Sequence, residues 1–248
     1  MADARERRAA ALDELYAEIL RAGESHARAR AMLAETLDEQ TLLALLCRAV
    51  PVAFLEQVAA TPPWNERRFV LARVVLNPRT PRALGLRLVG ALHWRELADV
   101  AATMRVNGAV RLRAEALLRD QLPELRFGDR ITLARIATPA LVGLLLVDSE
   151  PRVVLAVLEN ARLREEDLVT TLRRDDAPAA LVAGVSASSR WAGRYSVRLT
   201  LALQSRTPLA IALQQISALV PRDLRRIEDE DRLHPLVRAA ARAILERK

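Results

Sequence analysis

The sequence predicts an all-α fold in which short helices repeat along the chain as an α-solenoid. The 248 residues are 51% hydrophobic but only 3% aromatic, and they include eight glycines. This composition favours helices packed on helices, and no alternating apolar run bounded by turn signals predicts a strand. The second half of the chain also repeats the first at an offset of 127 residues. Arrays of similar units fold as solenoids.

The repeat begins at Trp64, which returns as Trp191, and continues without a gap for more than fifty residues. The matching positions are Arg67 and Arg194, Val70 and Val197, Leu76 and Leu203, Arg79-Thr80-Pro81 and Arg206-Thr207-Pro208, Arg95 and Arg222, Leu97 and Leu224, Val110-Arg111 and Val237-Arg238, Ala114 and Ala241, and Leu118 and Leu245. We therefore expect an N-terminal helical cap over 1–36 and a repeat array over 37–248. Within the array, 37–119 and 164–246 are matching copies, and 120–163 lies between them.

Apolar periodicity and helix-terminating residues predict about sixteen short helices. The expected spans are 3–21, 25–36, 39–48, 51–60, 65–76, 80–92, 94–102, 108–119, 129–137, 139–147, 151–159, 165–173, 178–187, 192–204, 208–219, 221–228 and 235–246. The first span has an apolar and a charged face and ends at Gly23, which is typical of a capping helix that covers the end of an array.

Prolines mark many of the expected helix starts. Pro51, Pro151, Pro178, Pro221 and Pro235 stand alone at such positions. Three further starts carry a threonine before the proline, at Thr80-Pro81, Thr138-Pro139 and Thr207-Pro208. A threonine at the N-cap accepts a backbone N–H, and a proline at the first helical position loses no hydrogen bond. We predict that these pairs shape the corners of the repeat.

The charge is placed unevenly, and it follows the repeat. Basic and acidic residues number 7 and 10 in 1–65, 11 and 4 in 66–119, 8 and 11 in 120–189, and 12 and 6 in 190–248. Alternating zones of charge favour a protein partner over a continuous nucleic-acid track. All but one of the 38 basic residues are arginine, which fits either GC-rich coding or the recognition of phosphate or carboxylate.

Several classes of function lack a signature. A single cysteine, Cys47, excludes an internal disulfide and indicates a reducing compartment, and its apolar neighbours predict a core residue. His26, His93 and His234 have no metal-ligand spacing around them, and no glycine-rich phosphate loop is present. No apolar run approaches the roughly 20 residues of a membrane span. We expect a cytoplasmic protein without a metal or cofactor.

Two segments resemble the second half of a HEAT-type repeat, residues 105–118 and 231–245, each with a Val-Arg pair followed by small residues. The copies are also similar to bacterial HEAT-like proteins with the pattern Trp-x-x-Arg and then Asn-Pro-x-Thr-Pro, seen here at Trp64 and at 77–81. The second copy departs from that pattern, with Gln204-Ser205 in place of Asn-Pro. The resemblance covers about 37–247. It implies a right-handed superhelix of HEAT-like helix pairs and carries no enzymatic activity.

The most plausible function is a non-enzymatic scaffold whose basic zones bind another protein, with an acidic partner favoured by the charge. The residues predicted to contact the partner are Arg67, Arg68, Arg79, Arg82, Trp94, Arg194, Arg198 and Arg206. Residues predicted to be structural in the repeat are Trp64, Thr80, Pro81, Arg111, Trp191, Thr207, Pro208 and Arg238. We expect Arg111 and Arg238 to bridge to carboxylates or free carbonyls of adjacent repeats.

The alternative is nucleic-acid binding, with or without chemistry. HEAT-like DNA glycosylases that act on alkylated purines are all-helical, basic and of similar length, and they combine aromatic residues, an aspartate and arginines. Trp94, Arg95 and Asp99 offer such a group within one stretch of helix. A continuous basic groove with an exposed tryptophan would favour this alternative, whereas separate basic and acidic zones would favour a protein partner.

Overall fold

The computed structural model describes residues 2–34 and 37–247, and over these residues it contains seventeen α-helices and no strand. The all-α prediction is therefore confirmed. Helices α1 to α8 are Ala2–Ala22, His26–Ala34, Glu39–Leu46, Val52–Val58, Arg68–Leu76, Arg82–Leu88, Trp94–Ala102 and Gly108–Gln121. Helices α9 to α17 are Phe127–Ile136, Pro139–Leu145, Pro151–Leu158, Glu165–Leu172, Ala179–Ala187, Tyr195–Leu203, Leu209–Ile216, Pro221–Asp229 and Pro235–Glu246. The expected ends at Thr36 and Lys248 lie outside the described residues.

The chain forms two compact units, unit 1 up to Glu124 and unit 2 from Leu125. In unit 1, α1, α3, α5 and α7 pack in succession, and α2 packs on α4 and α6 on α8. The helix pairs α1–α2, α5–α6 and α7–α8 join these two rows. Unit 1 therefore has two layers of helices, and each helix buries one side against its own layer and the other layer.

Unit 2 has the same kind of packing. Helices α10, α12, α14 and α16 pack in succession, and α9–α11, α11–α13 and α15–α17 form the other layer. In unit 1, the close approach of the neighbouring helices α6 and α8 depends on a small residue. A methyl group at Gly85 in α6 would lie 2.8 Å from the Cγ2 atom of Val110 in α8, so glycine is required for this α6–α8 spacing.

The helix bounds recur at the offset of the repeat. Adding 127 to the bounds of α5 and α7 gives the bounds of α14 and α16. Aliphatic side chains fill both cores. The buried residues Val70, Leu97 and Val110 correspond to Val197, Leu224 and Val237, and all six side chains are 2% exposed or less. Each such side chain contributes about 1.5–3 kcal/mol when it is withdrawn from water. The repeated residues are thus those that the packing needs.

Side-chain amides link the ends of consecutive helices. Asn77 follows α5, and its amide donates to the carbonyls of Leu46 and Arg48 at the end of α3, at 2.9 and 2.6 Å. Its carbonyl oxygen accepts the N–H of Arg79 at 3.1 Å. Gln204 follows α14 and donates in the same way to the two carbonyls at the end of α12. These bonds satisfy carbonyls that a helix end leaves without an intrahelical partner.

The predicted threonine caps are wrong at Thr80 and Thr207, and at Thr138 the predicted position is right but the capping bond is absent. Helices α6 and α15 begin at Arg82 and Leu209, so Pro81 and Pro208 stand in the N-cap position instead of the threonines. The hydroxyl of Thr80 instead donates to the carbonyl of Val74 at the end of α5, and that of Thr207 is buried without a hydrogen bond. Thr138 is the N-cap of α10, but its side chain forms no capping bond. Proline at the N-cap keeps an extended backbone and has no side-chain acceptor.

The prediction of a buried cysteine is also wrong. Cys47 is exposed. It is the C-cap residue of α3, one position after the buried Leu46. The buried face of this helix therefore ends one residue before the apolar run in the sequence does.

Candidate functional site

Arg67 and Arg194, predicted to contact a partner, form the same set of contacts in both copies. Arg67 forms an ion pair with Glu39 and lies 5.4 Å from the ring centre of Trp64. Arg194 forms an ion pair with Glu165 at 2.8 Å and lies 5.3 Å from the ring centre of Trp191. Each arginine joins two consecutive helices of one layer and covers a tryptophan. Both guanidinium groups are about half exposed, so they remain reachable, but their charge is already compensated.

Arg68 is engaged in a similar way by a buried acid. Its Nε lies 3.2 Å from Glu96, whose side chain is only 9% exposed. At the equivalent positions of unit 2, the hydroxyl of Tyr195 donates to Asp223 at 2.5 Å. Burial raises the pKa of Tyr195, and the hydrogen bond to Asp223 raises it further. The residue that contacts the acid is an arginine in one copy and a tyrosine in the other, but a buried acid is present in both. The contact links α5 to α7 in unit 1 and α14 to α16 in unit 2.

The remaining predicted arginines differ in their surroundings. Arg79 lies 3.7 Å from Glu24, and Arg198 donates to the carbonyl of Ala192 at 2.8 Å. The side chain of Arg206 forms no hydrogen bond or ion pair with a described residue and acts on Asp176 through its charge alone. The side chain of Arg82 has no such partner at all in the part of the chain that the structure describes. Most of the predicted contact set is thus committed to the fold.

The three tryptophans are buried. Trp64, Trp94 and Trp191 are 7%, 1% and 2% exposed. The indole N–H of Trp191 donates to the carbonyl of Leu158 at 3.2 Å. A base stacks on an aromatic ring only where a ring face is open, and none of these rings offers one. Asp99 lies on α7, where partial desolvation of its carboxyl raises its pKa, with the charge of Arg73 opposing that shift and the charge of Glu96 adding to it.

Arg111 and Arg238 differ although they occupy equivalent positions. Arg238 donates to the carbonyl of Glu228 at 3.0 Å and pairs with Asp231 at 3.0 Å. Arg238 thus has partners of the predicted kinds, a carbonyl and a carboxylate, and both lie within the α16–α17 pair. For Arg111 the bridging prediction is wrong, because one of its nitrogens contacts the sulfur of Met104 at 2.9 Å and its buried Nε has no hydrogen bond.

Five arginines without an ion pair to a described residue lie on α6, on α8 and in the segment before α8, and α6 packs on α8. We call the exposed surface of these elements the α6–α8 face and define it by the exposed residues Arg82, Leu86, Arg87, Met104, Arg105, Leu112, Arg113 and Arg119. None of its five arginines forms an ion pair with a described residue, and Asp120 and the half-buried Glu115 are the acids on α8. Met104 is 76% exposed and Leu112 67%. Positive charge and exposed apolar side chains therefore lie together.

The repeat shows that the fold does not require this face. Equivalent interior positions of α8 and α17 hold the same residues, Val110 and Val237, Ala114 and Ala241, and Leu118 and Leu245. Most of the exposed positions differ, with Arg82, Arg87, Leu112, Arg113 and Arg119 replaced by Leu209, Gln214, Ala239, Ala240 and Glu246, whereas Leu86 and Arg105 recur as Leu213 and Arg232. Four of the seven arginines predicted to contact a partner recur at the offset, and two of these, Arg67 and Arg194, form ion pairs within the fold. Most arginines of the α6–α8 face do not recur.

Other kinds of site are absent within the described residues. No group of three or more His, Cys, Asp and Glu side chains lies close enough to hold a metal ion in residues 2–34 and 37–247. Over the same residues, none of the helices combines the length and the apolar character needed to cross a bilayer.

Known proteins give no further guidance. Comparisons of the chain with protein-family models, with curated proteins and with solved structures find no match. The resemblance to HEAT-like repeats therefore remains a prediction from the sequence.

Proposed function

We propose that the protein is a non-enzymatic scaffold, a right-handed α-solenoid of HEAT-like helix pairs, that binds an acidic protein partner through the α6–α8 face. The observation that carries the proposal is the set of five arginines without carboxylate partners beside two highly exposed apolar side chains. A cytoplasmic location belongs to the same proposal. The proposed contact residues are therefore no longer Arg67, Arg68 and Arg194, which form ion pairs within the fold. They are the arginines of the α6–α8 face, which form no ion pair with a described residue.

The chemistry of the face suits a protein surface. Arginine binds carboxylates with two parallel hydrogen bonds and is enriched at protein interfaces. Methionine and leucine gain stability when a partner removes them from water, and flexible Met104 can adapt to the shape of that partner. An acidic segment with apolar residues on the same side, such as an amphipathic helix, would satisfy both kinds of group.

Nucleic acid remains the second candidate because unpaired arginines also attract phosphates. The buried tryptophans disfavour it, since no stacking platform is available on any of the three rings. The two candidates differ in what they require of Leu112. A phosphate backbone gains nothing from a leucine side chain, whereas an apolar residue of a partner helix does.

The test measures binding by fluorescence anisotropy with three labelled probes. One is a model helical peptide with glutamate on one side and leucine at i, i+3, i+4 and i+7, the second is the same peptide scrambled, and the third is a 20-bp duplex DNA. We expect the ordered peptide to bind more tightly than the scrambled one. Arg87→Gln with Arg113→Gln should weaken its binding about tenfold, and Leu112→Ala should weaken it by a similar factor.

The matched control is Arg222→Gln with Arg225→Gln, which removes two exposed arginines of α16 and the same total charge. It should leave peptide binding unchanged. Equal binding of ordered and scrambled peptides, or equal loss in the control, would refute recognition by the α6–α8 face. Duplex binding with a logarithmic salt slope near −4, about 0.9 per phosphate contacted, together with no effect of Leu112→Ala, would establish the nucleic-acid reading instead.

A further inference from the structure

A cleft of ≈ 370 Å³ opens in unit 2 near the carboxyl ends of α12, α14 and α16. Three guanidinium groups line it, from Arg173, Arg226 and Arg232, together with the carboxylates of Asp175 and Glu230. The volume lies at the small end of the range for ligand sites, about 300–1,000 Å³. The cleft can hold a small molecule of several functional groups, and it is far too small for a folded partner.

The guanidinium groups of the cleft retain free donors. The side chain of Arg173 forms no hydrogen bond or ion pair with a described residue. Arg226 is 58% exposed and contacts Asp223 through one nitrogen at 3.3 Å, while Asp223 also accepts the hydroxyl of Tyr195. Arg232 is 78% exposed and contacts Glu230 through its Nε at 3.0 Å. Each guanidinium carries five N–H donors, so most of them remain open to a ligand.

The carboxyl ends of helices would normally repel an anion, because their free carbonyls carry partial negative charge. Here Gln204 reduces that repulsion. Its amide nitrogen donates to the carbonyls of Leu172 and Arg174, each at 2.8 Å. Two carbonyls at the end of α12 are therefore occupied, and the lining holds three guanidinium groups against two carboxylates.

The first copy has different chemistry at the same positions. Arg73 stands where the second copy has Thr200, and Asp99 stands where it has Arg226. Burial raises the pKa of Asp99, and the charge of Arg73 opposes that shift, so the two groups are close enough to interact. The second copy replaces this pair of opposite charges by a small hydroxyl and a cation. The change puts a smaller side chain at position 200 and a cation at position 226, where Asp223 is its one acidic contact in the described residues.

We propose that the cleft is a binding site for a small polyanion that carries phosphate or carboxylate groups, held by Arg173, Arg226 and Arg232. Planar guanidinium groups bind both oxyanions with paired hydrogen bonds. The site is separate from the α6–α8 face and does not depend on a protein partner. It lies wholly within unit 2.

Isothermal titration calorimetry on the full chain tests this site with two probes, inorganic pyrophosphate and citrate. We expect saturable one-to-one binding of at least one of them, and the tighter probe identifies phosphate or carboxylate as the preferred group. Arg173→Gln should weaken binding about tenfold. Arg222→Gln with Arg225→Gln, which changes α16 outside the cleft, should leave it unchanged. The absence of saturation by either probe at 10 mM, on the order of the weakest useful affinity, would overturn the proposal.

Thr200→Arg separates a shaped site from general positive charge. It adds a cation but fills the cleft with the residue of the first copy, so binding should be lost. Binding that stays equal or tightens would overturn the proposal. Because Thr200 is buried, Arg226→Asp serves as a second variant at an exposed position, and circular dichroism verifies that each variant is folded. Arg226→Asp should also abolish binding, and retained binding would count against the site.

Discussion

Asn77→Ala gives the sharpest test of how consecutive helices of unit 1 are held together. The side chain is 3% exposed and lies between the ends of α3 and α5. Its amide donates to the carbonyls of Leu46 and Arg48, and its oxygen accepts the N–H of Arg79. Alanine removes all three hydrogen bonds and offers nothing in their place.

The magnitude follows from those bonds. A hydrogen bond in a folded protein contributes about 1 kcal/mol net, so the three bonds of Asn77 together contribute about 3 kcal/mol. The buried carbonyl of Leu46 would then lack one of its partners, which adds to the cost. Gln204→Ala removes two equivalent bonds in unit 2 and should cost about 2 kcal/mol by the same reckoning.

Equilibrium urea unfolding followed by circular dichroism measures the effect. We expect the midpoint for Asn77→Ala to fall by more than that for Gln204→Ala, and separate transitions would assign each loss to its own unit. The matched control is Asn65→Ala, because the side-chain oxygen of Asn65 is buried without a hydrogen-bond partner. Its replacement should leave stability unchanged or slightly raised.

The reasoning would be refuted by a loss below about 1 kcal/mol for Asn77→Ala, since a single bond already contributes that much. It would also be refuted by an equal loss for Asn65→Ala. In either case the amide would be incidental, and apolar contact alone would hold α3 against α5.

Three further predictions concern single contacts. Tyr195 is predicted to keep its proton above pH 10 in the folded chain, because burial and its bond to Asp223 raise its pKa. The stabilisation by the protonated hydroxyl of Tyr195 is then fully present below the pKa of this group in the unfolded chain, and it is lost as pH rises through its pKa in the folded chain. Absorbance titration should show a lower pKa of Tyr195 in Asp223→Asn. Glu96→Gln should leave thermal stability within about 1 kcal/mol, whereas Arg68→Ala should cost more by leaving a buried carboxylate unpaired. Gly85→Ala should lower the melting temperature by about 4 °C or more, because its methyl group meets a buried β-branched side chain on α8.

Apolar periodicity predicted the bounds of a helix well where those bounds are set by residues of the helix itself. The span 94–102 was expected from periodicity and is the observed α7, and 151–159 differs from α11 by one residue. The deviations lie at corners. The expected helix 80–92 ends at Leu88, after which Val89–Ala91 forms a 3₁₀ turn. The apolar periodicity of the sequence continues through such a turn, although the backbone hydrogen bonds change from the α-helical to the 3₁₀ pattern.

The candidate site could not be predicted in the same way, because ion pairing depends on residues distant in the sequence. Arg67 pairs with Glu39, 28 positions earlier, and nothing in the residues around Arg67 indicates it. The same holds for Arg68 and Glu96, which lie on different helices. A count of basic residues treats paired and unpaired arginines alike, so it cannot separate the two kinds.

The duplication offers a way to separate the two kinds of arginine. A residue that both copies keep is one that the shared fold requires, as with Arg67 and Arg194, each paired with a glutamate and set over a tryptophan. A residue that only one copy holds at an exposed position, and whose side chain has no partner among the described residues, has no such structural duty. Four arginines of the α6–α8 face belong to this second class in unit 1, namely Arg82, Arg87, Arg113 and Arg119, and Arg173 of the cleft belongs to it in unit 2. The two copies have therefore diverged where they are free to do so. Their differences, rather than the repeat itself, are where binding specificity can reside.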